Sequence, residues 1–206
     1  MTRKLWMMTV LFLSTAAARA DMTVDFDHGQ GSLEFSAIGK PSALKIVGKS
    51  GAPKGTLLLT QNNLEGALLL DLNGLDTGIE LRNHHMKEKY LQTQTYPQAR
   101  LKLQSVGFPL EKMMSDYAAA EVPFSGSLLL HGVEKPVTGK GTFKRAGDTL
   151  TGSAVFQIKL SDFAIGVPSF MGVTVADVVN VTTTFQVPLV QTGKIISKPG
   201  NNPSGN

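Results

Sequence analysis

Residues Ala99 to Gln104 read Ala-Arg-Leu-Lys-Leu-Gln, apolar and polar in strict alternation. Successive side chains of a β-strand point to opposite faces, so a period of two places Ala99, Leu101 and Leu103 on one face and Arg100, Lys102 and Gln104 on the other. A helix of 3.6 residues per turn would scatter both sets. The same phase recurs in Leu33, Phe35 and Ala37, interleaved with Ser32, Glu34 and Ser36, and in Leu68, Leu70 and Leu72 around Asp71. Further short runs at residues 43–47, 55–60, 66–73, 124–131, 137–144, 149–160 and 178–190 extend the pattern. They are separated by breakers such as Gly51-Ala52-Pro53 and by two tight connections, His131-Gly132-Val133-Glu134 and Arg145-Ala146-Gly147-Asp148. About eight strands with regular turns and few crossover helices predict an all-β chain, either a closed antiparallel up-and-down barrel or a sandwich. Closure is the arrangement that leaves no exposed strand edge.

The first 20 residues stand apart from this pattern. Arg3 and Lys4 precede an apolar stretch from Leu5 to Ala18, and Ala18-Arg19-Ala20 comes just before Asp21, which is the layout of a secretory signal peptide cleaved after Ala20. The stretch is shorter than the roughly 20 residues of a spanning helix, so the expectation is a soluble, exported domain without stable membrane insertion. Removing Arg3, Lys4 and Arg19 with no acid lowers the formal charge from +4 to +1. A near-neutral chain without a long basic run argues against a nucleic-acid partner, whose binding rests on neutralising several phosphates. Cysteine is absent, which excludes disulfides, thiol redox chemistry and lipid attachment through a thiol. Stability then comes from burial, which residues 21–191 can supply as one domain. Two irregular segments, residues 76–95 and 111–120, are assigned a helical turn or two. The Gly-, Pro- and Asn-rich residues 192–206 are read as a disordered tail.

Three stretches share a register that goes beyond alternation. Leu75-Asp76-Thr77-Gly78-Ile79-Glu80-Leu81-Arg82-Asn83-His84-His85-Met86 is followed by Tyr90-Leu91 and Tyr96-Pro97-Gln98-Ala99. Gly126-Ser127-Leu128-Leu129-Leu130-His131-Gly132-Val133-Glu134-Lys135-Pro136-Val137 is similar to a "G-x-L-x-I-H-G-V-x-x-P-V" hairpin, and Leu160-Ser161-Asp162-Phe163-Ala164-Ile165-Gly166 resembles an "L-x-x-x-D-F-G-I" stretch. In this order and spacing the chain resembles the YceI family of lipocalin-like barrels. The resemblance implies a periplasmic antiparallel barrel of about eight strands with a short helical segment over one mouth. It also implies an isoprenoid lipid partner, since some members bind a polyisoprenoid chain. Three positions depart from the pattern: Ala37-Ile38-Gly39 replaces a usual "His-x-Gly", Asn83 replaces an Asp, and Tyr90-Leu91 replace two Phe. All three lie at the mouth, where a lipid head group would sit.

The inward phase is almost wholly apolar. Phe35, Leu57 and Leu59 belong to it, with Leu68, Leu70 and Leu72, then Leu101, Leu103, Leu128 and Leu130, and finally Phe156, Ile158 and Phe185. An eight-stranded barrel either fills such an interior or leaves room for one ligand, so phase alone supports a packed core and a lipid cavity equally. With the resemblance, these residues together with Arg82 and Met86 at the mouth form the expected ligand-binding set. The ligand is a polyprenyl chain or an isoprenoid quinone, and the alternative is a non-catalytic interaction module with a filled core.

Arg82 has two readings, a clamp for a pyrophosphate or quinone oxygen and a structural bond to a carboxylate or loop carbonyl. His84-His85-Met86 offers ligand types that suit copper, but adjacent helical residues point about 100° apart and Glu88, not His, stands four residues after His84, so no metal is expected. Neither G-x-S-x-G nor H-E-x-x-H occurs; with no catalytic residue identified, a non-enzymatic role without a cofactor is expected. A lipid hydrolase or isomerase is the weaker rival, and whether two barrels pair as a homodimer is left open.

Overall fold

The computed structural model describes residues 21–40, 44–60, 64–107, 112, 115–170 and 173–192. The expected leader and nearly all of the expected tail lie outside these residues, as does Ala43.

Eleven strands make up the sheet: β1 Asp21–Asp25, β2 Gln30–Lys40, β3 Lys45–Gly51, β4 Thr56–Leu59, β5 Leu64–Asp71, β6 Gln98–Val106, β7 Tyr117–Leu130, β8 Val133–Ala146, β9 Thr149–Lys159, β10 Ser169–Phe170 and β11 Val173–Thr192. The short helix α1, Glu80–His84, continues into a π-helical stretch, His85–Tyr90. The order β1-β4-β5-β6-β7-β8-β9-β11 returns to β1, because β1 pairs with both β4 and β11. The result is a closed eight-stranded antiparallel barrel. The β2–β3 hairpin continues the wall above β1 and β4, β2 lying along the first part of β11. Backbone bridges from Lys49 to Asp76 and from Lys54 to Leu69 tie that hairpin and the turn after it to the β5 side.

Cross-strand register follows the alternation. Leu68 faces Leu101, Leu70 faces Ala99, and Leu101 faces Leu128, so the inward residues form continuous apolar rows. Arg100, Lys102 and Gln104 are exposed, as the alternation requires. A register shift after Leu103 then brings Val106 to the inner face. Three strands differ from the sequence reading, one of them the short β10, for which no run was read between residues 160 and 178. β1 is not foreseen at all, and β7 begins at Tyr117, so residues 117–120 are strand rather than helical turn. Helix does form in the first irregular segment, at Glu80–Tyr90.

The turns show why these loops are so short. His131 (φ +52°) and Gly132 (φ +75°) form the two-residue link between β7 and β8, the left-handed pair that matches strand twist. His131 thus belongs to the turn and not to either strand. Its ring packs edge-on against Tyr96, centroids 4.7 Å apart, and its Nδ1 lies 3.1 Å from the Phe163 carbonyl. A Cβ on Gly132 would stand 2.8 Å from the Tyr96 ring. Gly132→Ala combines that contact with an unfavourable φ, and it is expected to lower unfolding free energy by about 1–3 kcal/mol in chemical denaturation. A change below a few tenths of a kcal/mol would show that the turn and the ring move apart freely.

One end of the barrel is filled. Met22, Leu59, Val187 and Leu189 pack there at 6% exposure or less. Arg145 is buried with them, not part of the turn: its Nε donates to the Gly147 carbonyl and its Nη1 lies 3.4 Å from Met22 Sδ. Burial pushes the nearby Tyr117 phenol up, an effect that Arg145 opposes.

Candidate functional site

Above this filled base the barrel is hollow. A cavity of about 620 Å³ runs between the walls and opens at the end carrying α1. Its size falls within the range of small-molecule sites. The choice between packed core and cavity, which alternation cannot make, is therefore decided for the cavity.

Fourteen of the fifteen residues expected from the sequence line it: Phe35, Leu57, Leu68, Leu70, Leu72, Arg82, Met86, Leu101, Leu103, Leu128, Leu130, Phe156, Ile158 and Phe185. Leu59 does not. It shares its phase with Leu57, but it lies one step closer to the base, where it is 1% exposed in the packed cluster with Met22 and Val187.

The space persists because glycines stand opposite aromatics. Phe35 pairs with Gly48, Phe124 with Gly139, and Phe185 with Gly152 across adjacent strands. A Cβ on Gly139 would lie 2.6 Å from the Phe124 ring, and one on Gly152 would lie 2.7 Å from the Phe185 ring. Each ring thus lies down over its glycine instead of standing into the lumen. At Gly48 the three nearest atoms a Cβ would meet belong to the Phe35 ring, and Phe35 lines the cavity. Gly48→Ala is therefore expected to swing the ring inward. Stability should change by less than about 1 kcal/mol, because the ring moves into space, and the capacity for an apolar ligand should fall. Parallel denaturation and ligand titration check this; a loss of several kcal/mol would mean the ring cannot move.

Most polar lining residues gather at the open end, Thr77, Arg82, His85, Tyr90 and Ser169, while Ser153 and Thr183 stand deeper on β9 and β11. The loop before α1 is held by a compact network. Asn83 Oδ1 accepts from Thr77 N at 2.8 Å and from Thr77 Oγ1 at 2.7 Å, while its Nδ2 donates to Asp76 Oδ1 at 2.6 Å. The Gly78 N–H, seconded by the Asn83 amide, holds the Asp76 carboxyl below the usual carboxylate range. Asn83 thus organises the loop, which accounts for an amide, with one donor and one acceptor end, at a position where the resemblance leads one to expect Asp.

The geometry shows the loop bond of Arg82. Its Nη2 donates to the Thr77 carbonyl at 2.6 Å, the loop bond, while its Nε is buried without a hydrogen-bond partner. His84 Nδ1 lies 3.1 Å from Glu88 Oε1 across one helical turn, and no group of three His, Cys, Asp or Glu side chains able to hold a metal occurs among the described residues.

Residues 15–187 match the YceI-like domain. The chain belongs to the YceI-like family. A UPF0312 protein of Vibrio vulnificus, in strains YJ016 and CMCP6, is 28% identical over 170 residues, covering 78% of this chain and 84% of that protein. Among solved structures, a polyisoprenoid binding domain from Saccharophagus degradans superposes with TM-score 0.59 at 18% identity, over 81% of this chain and 97% of that one. BcnA of Burkholderia cenocepacia gives TM-score 0.59 at 20% identity, over 79% and 98%. The Campylobacter jejuni YCEI protein gives 0.55 at 11%, over 74% and 88%. These likenesses establish a shared YceI-like barrel.

The lining of this YceI-like cavity includes residues the sequence reading missed: Leu44 and Ile46 from β3 and its approach, Phe143 from β8, and Ile165, Pro168 and Val175 near the mouth. Phe143 had a signal, since it follows Val137, Gly139 and Gly141 at two-residue steps, but two glycines blank out the apolar trace.

Proposed function

We propose that this YceI-like protein carries one isoprenoid lipid, a polyprenyl chain or an isoprenoid quinone, with its tail in the barrel and its head at the α1 mouth. The observation that carries the reading is the cavity itself, lined chiefly by aliphatic and aromatic side chains, with Ser153 and Thr183 the polar side chains below the mouth. A tail needs no directed contact there, because each buried methylene contributes about 0.8 kcal/mol. The free Arg82 Nε is the donor for a head-group oxygen, and the fold shared with the Saccharophagus degradans polyisoprenoid binding domain supports the same class of ligand. The role is binding without catalysis, and residues 1–20 direct it to the periplasm, where cleavage leaves Asp21 as the first residue. Among the described residues no helix is long and apolar enough to cross a membrane.

The test is purification without detergent, solvent extraction and mass spectrometry of both extract and protein. The expected result is a prenyl lipid approaching one per barrel on a chain starting at Asp21. A protein that never yields a lipid, from its native source or after incubation with prenyl lipids, would overturn the reading.

A further inference from the structure

The exposed apolar side chains of this molecule are not spread evenly. Among the described residues eight large hydrophobics are strongly exposed, and six of them, Ile38, Leu44, Ile79, Leu81, Val167 and Val178, lie toward the open end of the barrel. Isolated exposed aliphatics are ordinary, whereas a concentration around an opening marks a contact surface. They come from three separate segments that meet at the mouth: the β2–β3 hairpin end, the start of α1 with the residue before it, and the stretch before β10 with the first part of β11. Their convergence is visible in the cavity lining, which takes Leu44, Ile79, Leu81, Pro168 and Val175 from all three. Leu44, Ile79 and Leu81 are 48%, 53% and 55% exposed while also lining the cavity, so the apolar surface passes without a break from lumen to rim. Lys45 and Lys89 are exposed beside this rim, with exposed Glu80 and Glu88 and half-buried Lys87 in the same helical stretch as Lys89, so the rim carries charges of both signs.

We infer that the mouth is a docking surface for a lipid bilayer, on which the protein rests with its cavity facing the acyl chains. Resting on the carrier reading above, the inference adds how the cargo enters and leaves. An isoprenoid tail crossing water would expose the same apolar area that the cavity hides, and a rim seated in the head-group layer removes that step. Rim aliphatics reach the acyl boundary while Lys45 and Lys89 meet lipid phosphates and the neighbouring Glu80 and Glu88 stay in water or meet the amines of zwitterionic head groups. A bilayer suits a rim that opens into an apolar lumen better than a protein face does, because a protein seated there would close the mouth.

The experiment uses the exported full-length protein and vesicles of phosphatidylethanolamine with a minority of phosphatidylglycerol. Ile38 and Val167 are exposed and do not line the cavity, so Ile38→Ser with Val167→Ser alters the rim alone. Cosedimentation should show the parent bound to vesicles and the double variant bound about tenfold less, the expected loss for two half-exposed aliphatics. Transfer of a fluorescent prenyl probe from protein to vesicles should slow by a similar factor, with the amount of probe held at equilibrium unchanged. A second variant, Lys45→Glu with Lys89→Glu, should weaken adsorption to these anionic vesicles and recover it in part at high salt.

A parent that does not adsorb, or variants that adsorb and transfer like the parent, would overturn the inference. So would a concentration-dependent dimer that the rim variants break without any vesicle binding, since the rim would then cover a second copy. Failure of the carrier reading is seen separately, as a protein that takes up no prenyl probe from detergent solution whatever its behaviour on vesicles.

Discussion

Leu70→Trp or Leu103→Trp is expected to abolish lipid binding and leave the ligand-free protein about as stable as the parent. Both side chains line the cavity from adjacent strands, and both are only partly buried, which means each has open space beside it. A packed interior would respond in the opposite way, because an extra ring without room costs roughly 1–3 kcal/mol or more. With some 620 Å³ available the indole occupies the volume of the tail instead. Thermal melting of delipidated protein and mass spectrometry of the solvent extract, made on parent and variants together, give the two halves of the result. Strong destabilisation of the delipidated variants would show that the walls meet in solution and that the cavity is not available to a ligand.

Affinity for prenyl chains is expected to rise steeply with length and then stop. If a carbon with its hydrogens takes about the room of a water molecule, roughly 30 Å³, the cavity accepts on the order of 20 carbons, or about four isoprene units. Up to that length each five-carbon unit removes further apolar surface from water and adds roughly 2–4 kcal/mol after the cost of ordering the chain, a gain of tens- to several-hundredfold per unit. Beyond it the filled base around Leu59 and Val187 stops the tail, and additional units remain at the mouth. Competition titrations with farnesol, geranylgeraniol and longer polyprenols would show the break. A slope that continues unchanged past about four units would place part of the tail where the structure has packed side chains, and would sink the proposed seating.

The strands that could be read from the sequence were those whose inward positions carry leucine or phenylalanine against charged or amide neighbours, as residues 99–104 do. β8 escaped as a lining element because its inward face is largely Gly139 and Gly141, and an absent side chain leaves no hydropathy signal. β1 escaped because a five-residue strand offers too few alternations to stand out, and the two-residue β10 offers fewer still. Leu59 was assigned to the cavity because phase reports the face of a sheet and not the height along a barrel, and height decides whether a side chain meets space or the base. The cavity was beyond reach for a related reason. It depends on Phe35, Phe124 and Phe185 each lying over a glycine of the neighbouring strand, which requires a register that no single strand encodes. Arg82 was legible as a residue of the mouth; its division of labour, one nitrogen on the Thr77 carbonyl and one left over, was not.

The pairing of Asp21 with Thr192 is the seam of the barrel, and it sets the kinetics of folding. The strands between β4 and β9 meet their sequence neighbours, so those hairpins can assemble early from local contacts. The ring cannot close until the last strand returns to the first across nearly the whole domain, and β11 has to settle against β1, β2 and β9. Contacts of such long range place the entropy of loop closure ahead of the contacts that repay it, which makes folding slow and the rate-limiting step a late one. Until that step the apolar rows destined for the cavity are open to water. A chain that docks its last strand late leaves its inner face open longer, and during that interval it depends on whatever shields that face from other chains.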